Sequence, residues 1–391
     1  MFGMGENYLS ALSVFLGYTA FQITLLSSIP QFIGSFCQLF SNKILMIVKS
    51  KKIFVVVLSY LHAFLWIFLI FIIFYINYYI AIMIWLIIYF VISSLITPVW
   101  VSWIGYIVPK RIRGTYHGVR NRNINFFILI AILLGGYILD SFDENLKYGF
   151  LILFIIAFIG RLISSYYLNK KSETPEDMVN IDTSFKYLLN DKTRLFFFNF
   201  KILINFAIMF LGSLFAIYIL RTLEMSNLIL GFCGTTWWAG NISSSKYWGK
   251  FSKVHGYVYI LKISIISLTI LPISWIFVYY AGDPYKVFII LFTSFIAGIT
   301  FSGFSLSTFN LVYEIVNKED VVKYTSILRF GEGIGILFAS IMAGYLVDSI
   351  YINNFLSTMN FSSVQLSIFI SMILRCFCLV FFIKNKNLFK V

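Results

Sequence analysis

Glu332 is the residue of this chain whose type and position point most directly to chemistry. It stands in the stretch RFGEGIGILFASIMAG, about two turns into an otherwise apolar run. A carboxylate at that depth is costly and normally faces a cavity or a partner. It could take up and release a proton, or hold part of a solute. Arg329, three residues earlier on the same helical face, could instead neutralise it within the helix. Both readings stay open at this point. Glu314, four residues before Lys318, lies closer to water and reads as a rim ion pair. Gly331, Gly333 and Gly335, with Ala339 and Ala343, form a small face suited to close helix packing. A phosphate-binding loop would need a preceding strand, which this run does not provide.

Other reactive side chains are sparse. His62, His117 and His255 are scattered, and Cys37, Cys233, Cys376 and Cys378 all sit inside apolar runs without zinc-ligand spacing. The cysteines read as buried small hydrophobes. No cofactor or metal is expected. A polytopic membrane enzyme would gather His, Asp or Cys at one depth, and no such gathering exists. The polar residues at membrane depth are mostly neutral: Asn125, Asn205, Thr235, Thr236, Asn241, Ser305 and Asn310, accompanied by Trp100, Trp103, Trp237 and Trp238.

The elements that position these residues follow from composition. Of 391 residues, 60% are hydrophobic and 12% charged, half the roughly 25% charge of soluble domains. A mean hydropathy of +0.89 exceeds what one soluble core can hide. The solvent for most of the chain is therefore lipid. The net charge of +14 does not indicate nucleic acid, because the basic residues recur in short clusters between apolar stretches instead of on one soluble face.

Twelve runs are long enough to cross ~30 Å of hydrocarbon, near residues 3–19, 21–40, 53–76, 79–107, 115–139, 147–167, 195–220, 226–247, 256–281, 285–313, 324–347 and 363–383. Residues 169–194 form the one sizeable polar break, with a short interfacial helix expected around Thr183–Leu189. Only Lys147, Arg221 and Lys286, of 30 basic residues, are assigned to one side. The positive-inside rule then places both termini and the central linker in the cytoplasm. Lys201 and Lys262 are read as snorkelling residues near that face.

The chain also repeats itself. Sliding it by 208 residues aligns 107–142 with 315–350 without a gap, giving 11 identities in 36 positions. Among them, YILDS at Tyr137–Ser141 pairs with YLVDS at Tyr345–Ser349. The meaning is a parallel six-plus-six duplication. Near the N-terminus the register is closer to 205, and Arg194–Asn205 then has no counterpart. Met1–Phe15 reaches only ~22 Å at 1.5 Å per residue, so the first helix is short or the start is truncated. Asp140 and Asp348 end their helices against the macrodipole. Each is expected to accept hydrogen bonds from the backbone of the loop that follows it.

Two loops carry a family resemblance. WGKFSKVHGYVYIL, Trp248–Leu261, resembles the loop signature of the major facilitator superfamily, with Gly249 and Gly256 at its glycine positions and Lys253 where that signature has an acid. The matching first-half loop, SNKILMIVKSKK, keeps charge but lacks the glycines and the acid. VPKRIRGTYHGVRNR, Val108–Arg122, is similar to the loop before the fifth helix in bacterial members of that superfamily. The resemblance implies an all-α polytopic membrane protein of the 6+6 bundle type, with halves at 1–168 and 195–391 joined by 169–194. It implies a secondary transporter of a small solute in a bacterial cytoplasmic membrane, working by alternating access. Acting as a monomer in the lipid bilayer, it would bind no nucleic acid and would couple flux to protons through Glu332 with Arg329. The absence of the loop acid puts the family's cytoplasmic gate network in question, and a transport-inactive relative is the competing reading. Arg113, Gly114, Arg120, Arg122, Gly249 and Gly256 fall in the gate loops, where the arginines serve either as gate contacts or as lipid anchors. By the helices that line the family's cavity, Trp103, Asn205, Trp237 and Asn241 become candidate lining residues, joined by Asn310. These candidates are mostly neutral and aromatic, which leans towards a neutral or amphiphilic solute.

Overall fold

Backbone groups in hydrocarbon must bond within their own segment or to neighbouring protein, and this chain meets that demand with helices. The structure, a computed structural model, describes residues 1–76, 78–108, 113–173, 185–316, 320–357 and 362–389. Among the described residues no strand occurs. The chain packs as two units, Met1–Tyr18 with Leu26–Asn180, and Thr19–Leu25 with Ile181–Val391.

The first unit opens with a 3-10 turn, Glu6–Tyr8, running into α1 (Leu9–Phe15). α1 is seven residues long, the short first helix expected from the sequence. Then come α2 (Ala20–Gln38, of which residues 20–25 belong to the second unit), α3 (Ser41–Val48), α4 (Lys51–Phe71, extended by a π turn, Ile72–Ile76), α5 (Tyr79–Ile107), α6 (Arg113–Ser141) and α7 (Leu146–Asn169). α3 occupies a stretch expected to be loop. It ends at Lys49 in the left-handed region, φ 58°, and Ser50 then caps α4 by accepting from the Ile53 amide at 3.0 Å. Trp66, Phe150 and Phe154 are fully buried at the centre of this unit.

The second unit holds α8 (Phe185–Leu189), α9 (Lys192–Gly212), α10 (Phe215–Ile217, continued by a π turn, Tyr218–Thr222), α11 (Asn227–His255), α12 (Tyr257–Ile270), α13 (Pro272–Tyr280), α14 (Tyr285–Ile315), α15 (Val321–Asp348), α16 (Ile350–Ser357) and α17 (Ser363–Asn385). α8 falls in the stretch expected as an interfacial helix, whose first residues, Thr183 and Ser184, lie outside the described residues. Side-chain caps set several starts: Asp191 for α9, Ser226 for α11, and a Ser362–Gln365 capping box for α17. Pro272 stands at the first position of α13, where its missing N–H costs nothing, and divides the ninth span into two helices. The core gathers Phe197, Phe200, Ile204, Ile265, Leu268, Leu311 and Phe382. Phe127, Tyr345 and Ile373 point outward, as lipid-facing positions require.

Among the described residues, ten helices are long and apolar enough to cross a membrane. The first expected span falls short in length. The eighth, α11, is 29 residues long but carries a polar second half, SSSKYWGKFSKVH. The duplication is visible in helix ends. α5 and α14 stop at Ile107 and Ile315 in the same register. The next residues, Val108 and Val316, are both extended, and each donates its N–H four residues back, at 3.0 and 3.1 Å.

Candidate functional site

The second unit brings three charges together on α9 and α15. Lys201 Nζ lies 2.7 Å from Glu332 Oε1, and Arg329 Nη1 donates to Glu332 Oε2 at 3.2 Å. Lys201 and Glu332 are each 8% exposed, whereas the Arg329 side chain is 65% exposed. The intrahelical pair expected from spacing exists, yet the buried partner is Lys201. The snorkelling position read for Lys201 is thus corrected. α9 begins at Lys192, so Lys201 sits about 14 Å along the helix, on the side that meets α15. A buried ion pair is tolerable only when its atoms are satisfied. Here both carboxylate oxygens are engaged, and Lys201 Nζ also lies 5.1 Å from the Phe304 ring centroid on α14.

Glycine makes the pair possible. A Cβ on Gly331 would stand 2.6 Å from Phe198 Cε2, and one on Gly335 only 2.5 Å from the carbonyl oxygen of Ile202. The α15 glycines let the two backbones approach closely, which brings Glu332 within reach of Lys201.

The remaining sequence candidates are dispersed. Asn205 donates to Lys201 O at 2.8 Å and Asn310 to Leu306 O at 2.8 Å, each back into its own helix. Asn241 reaches Gly298 O at 3.5 Å, tying α11 to α14. Trp237 is half-buried, edge-on to Trp238. Trp103 is fully buried among Leu45, Phe54 and Val99, with Nε1 donating to Ser172 O at 3.2 Å. Arg120 lies 4.4 Å over the Trp100 ring. Arg113, Gly114 and Arg122 belong to α6, but their side chains lie outside the described residues. Gly249 is on α11 with open space where a Cβ would stand. Gly256 joins α11 to α12 at φ 77°, a conformation only glycine adopts without strain.

The first-half loop lacks the family's acid, but Ser50 there donates its hydroxyl to the Glu173 carboxylate. Asp348 also departs from expectation. Its carboxylate oxygens accept from the amides of Ala20 at 3.1 Å and Phe21 at 2.7 Å, so it caps the start of α2 and not the loop that follows α15. A carboxylate at a helix N-terminus meets unsatisfied amides and the favourable end of the dipole. Asp348→Ala is expected to cost about 1 kcal/mol, read as a lowered melting temperature of the purified protein, with Asp348→Asn costing less.

Sequence reasoning passed over a second polar cluster. In the first unit, Tyr89 on α5 donates to Glu6 Oε1 at 2.7 Å and stacks on His62 of α4, with ring centroids 4.0 Å apart. Arg161 of α7 donates to Ser59 Oγ at 3.2 Å. The signal was available: Arg161 interrupts AFIGRLISS at mid-span, where an arginine needs a partner or a cavity. The second unit also buries an arginine in its last long helix: Arg375 of α17 is held by Leu268 O at 2.6 Å and Ile208 O at 3.4 Å.

Helices of this length and order define a multi-pass membrane protein of transporter fold. Residues 195–387 match the sequence model of the Major Facilitator Superfamily. The D-xylose-proton symporter has the same fold at a TM-score of 0.77, with 14% identity over 97% of this chain and 92% of that one. The nucleoside transporter NupG gives 0.70, with 16% identity over 100% and 96%. A bacterial homologue of the iron transporter ferroportin gives 0.69, with 13% identity over 98% and 94%. No curated protein sequence matches the chain.

Proposed function

We propose that the chain is a secondary active transporter that moves a small solute across the cytoplasmic membrane by alternating access, as a monomer with both termini in the cytoplasm. The observation that carries this reading is the buried Lys201–Glu332 contact of 2.7 Å. A membrane protein with a purely structural role gains little from such a pair, because desolvation offsets most of its attraction. A pair that opens and closes gives the protein a two-state element. With Lys201 in contact, Glu332 keeps its negative charge. When α9 and α15 separate at this point, the carboxylate loses its nearer countercharge and keeps only the exposed Arg329, which favours uptake of a proton. Proton binding and conformation are coupled through that one contact, while Arg329 at the outer oxygen steadies the carboxylate.

Reconstituted vesicles tested against a solute panel, with and without a pH gradient, check the reading. Solute accumulation driven by the gradient is expected in the wild type and lost in Glu332→Gln. Gradient-driven flux unchanged in Glu332→Gln would remove the coupling role, and flux of no solute would remove the transporter.

A further inference from the structure

We propose that the first unit holds a binding site for a small organic anion, in the cavity lined by α4, α5, α6 and α7 beside His62 and Arg161. The cavity has a volume of about 520 Å³, within the roughly 300–1,000 Å³ of small-molecule pockets. The side chains of Arg120, Arg161 and Lys171 line it, and among the described residues no carboxylate does. Ser59 and Thr97 add hydroxyls to the wall.

Three buried nitrogens in the lining lack hydrogen-bond partners. His62 is 1% exposed, and neither ring nitrogen has a hydrogen-bond partner. Arg161 Nε is likewise buried and unpartnered, and Nη2 reaches only a neutral hydroxyl. A buried polar group left unpaired is costly, and more so when charged. The second unit's buried Arg375 also leaves Nε without a partner, but both its terminal nitrogens donate to main-chain carbonyls, those of Leu268 and Ile208, whereas Arg161 Nη2 meets a hydroxyl.

Electrostatics points the same way. Burial, and then the neighbouring Arg120 guanidinium, hold the Lys171 ammonium below the usual lysine range. Cations gathered on one wall repel one another, and a bound anion offsets that repulsion. Glu6 is the nearby acid that acts on Arg161, but its carboxylate already accepts from Tyr89. A carboxylate or phosphate group fits the guanidinium fork of Arg161, and His62 can donate to one of its oxygens. The site stands on this cavity alone and is independent of any role for Glu332.

The test uses the full chain in phosphatidylcholine nanodiscs, titrated calorimetrically with succinate and with glycerol 3-phosphate. Succinamide and glycerol serve as the uncharged controls. Saturable binding of at least one anion is expected, with neither control binding. Arg161→Gln and Lys171→Gln should each weaken it about tenfold or more, as loss of a charged hydrogen bond implies. Lys171 stands just beyond the end of α7, so Lys171→Gln serves if Arg161→Gln does not fold. Binding of neither anion, equal binding of the controls, or unchanged affinity in Lys171→Gln would overturn the site. So would anion binding lost to competition when phosphatidylglycerol replaces phosphatidylcholine, which would make a lipid headgroup the ligand.

Discussion

Replacing Lys201 by methionine is expected to destabilise the protein by about 3 kcal/mol or more, because it leaves a buried carboxylate without its closest countercharge. Arg329 remains 3.2 Å from the other oxygen, but its exposed side chain cannot replace a buried ammonium at 2.7 Å. The double variant Lys201→Met/Glu332→Gln should recover at least half of the loss, since it leaves no unpaired charge behind. Thermal unfolding of the purified protein in detergent distinguishes the two. A double variant as unstable as Lys201→Met alone would mean that lost packing of the lysine stem, and not the charge, sets the cost.

Gly335→Val is expected to be as damaging for a different reason. Its Cβ would fall 2.5 Å from Ile202 O, a main-chain atom that cannot rotate away. Overpacking of this kind costs about 1–3 kcal/mol, and here it also pushes α15 from α9 and stretches the Lys201–Glu332 contact. The cost should therefore reach the upper end of that range, with a weaker effect from Gly335→Ala, read by the same unfolding assay. Combining Gly335→Val with Lys201→Met should cost less than the sum, because both act on one seam. Full additivity would place Gly335 outside the mechanism that forms the pair.

Much of the architecture was legible in the sequence, because hydrophobic length and duplication are properties of the chain itself. The shift between the two copies located not only similar residues but the same helix end, Ile107 with Ile315. The Arg329–Glu332 contact was legible for the same reason, since a spacing of three fixes both residues on one helical face. Lys201 was not, because its partner is remote in the chain and on another helix, and nothing local specifies which faces meet. Asp348 shows the same limit: its position at a helix end was clear, but its partners, Ala20 and Phe21, stand near the opposite end of the chain. α3 was missed because eight residues with polar flanks read equally well as loop. His62 and Arg161 were visible as polar residues in apolar runs, and only packing shows that they share a wall.

The equal register of α6 and α15 has a consequence for how a doubled fold acquires new chemistry. Position 332 in the second copy corresponds to position 124 in the first. At 332 stands the glutamate that meets Lys201, while at 124 stands an isoleucine on the wall of the cationic cavity. Identical ancestral copies would have carried one residue type at both places. An acid at 124 would place a negative charge on the wall that Arg120, Arg161 and Lys171 line. Divergence at a single matched position therefore puts a carboxylate at the α9–α15 seam of one copy and a neutral side chain on the cavity wall of the other. A single substitution at a matched position of a doubled fold can in this way give its two copies different ligand preferences.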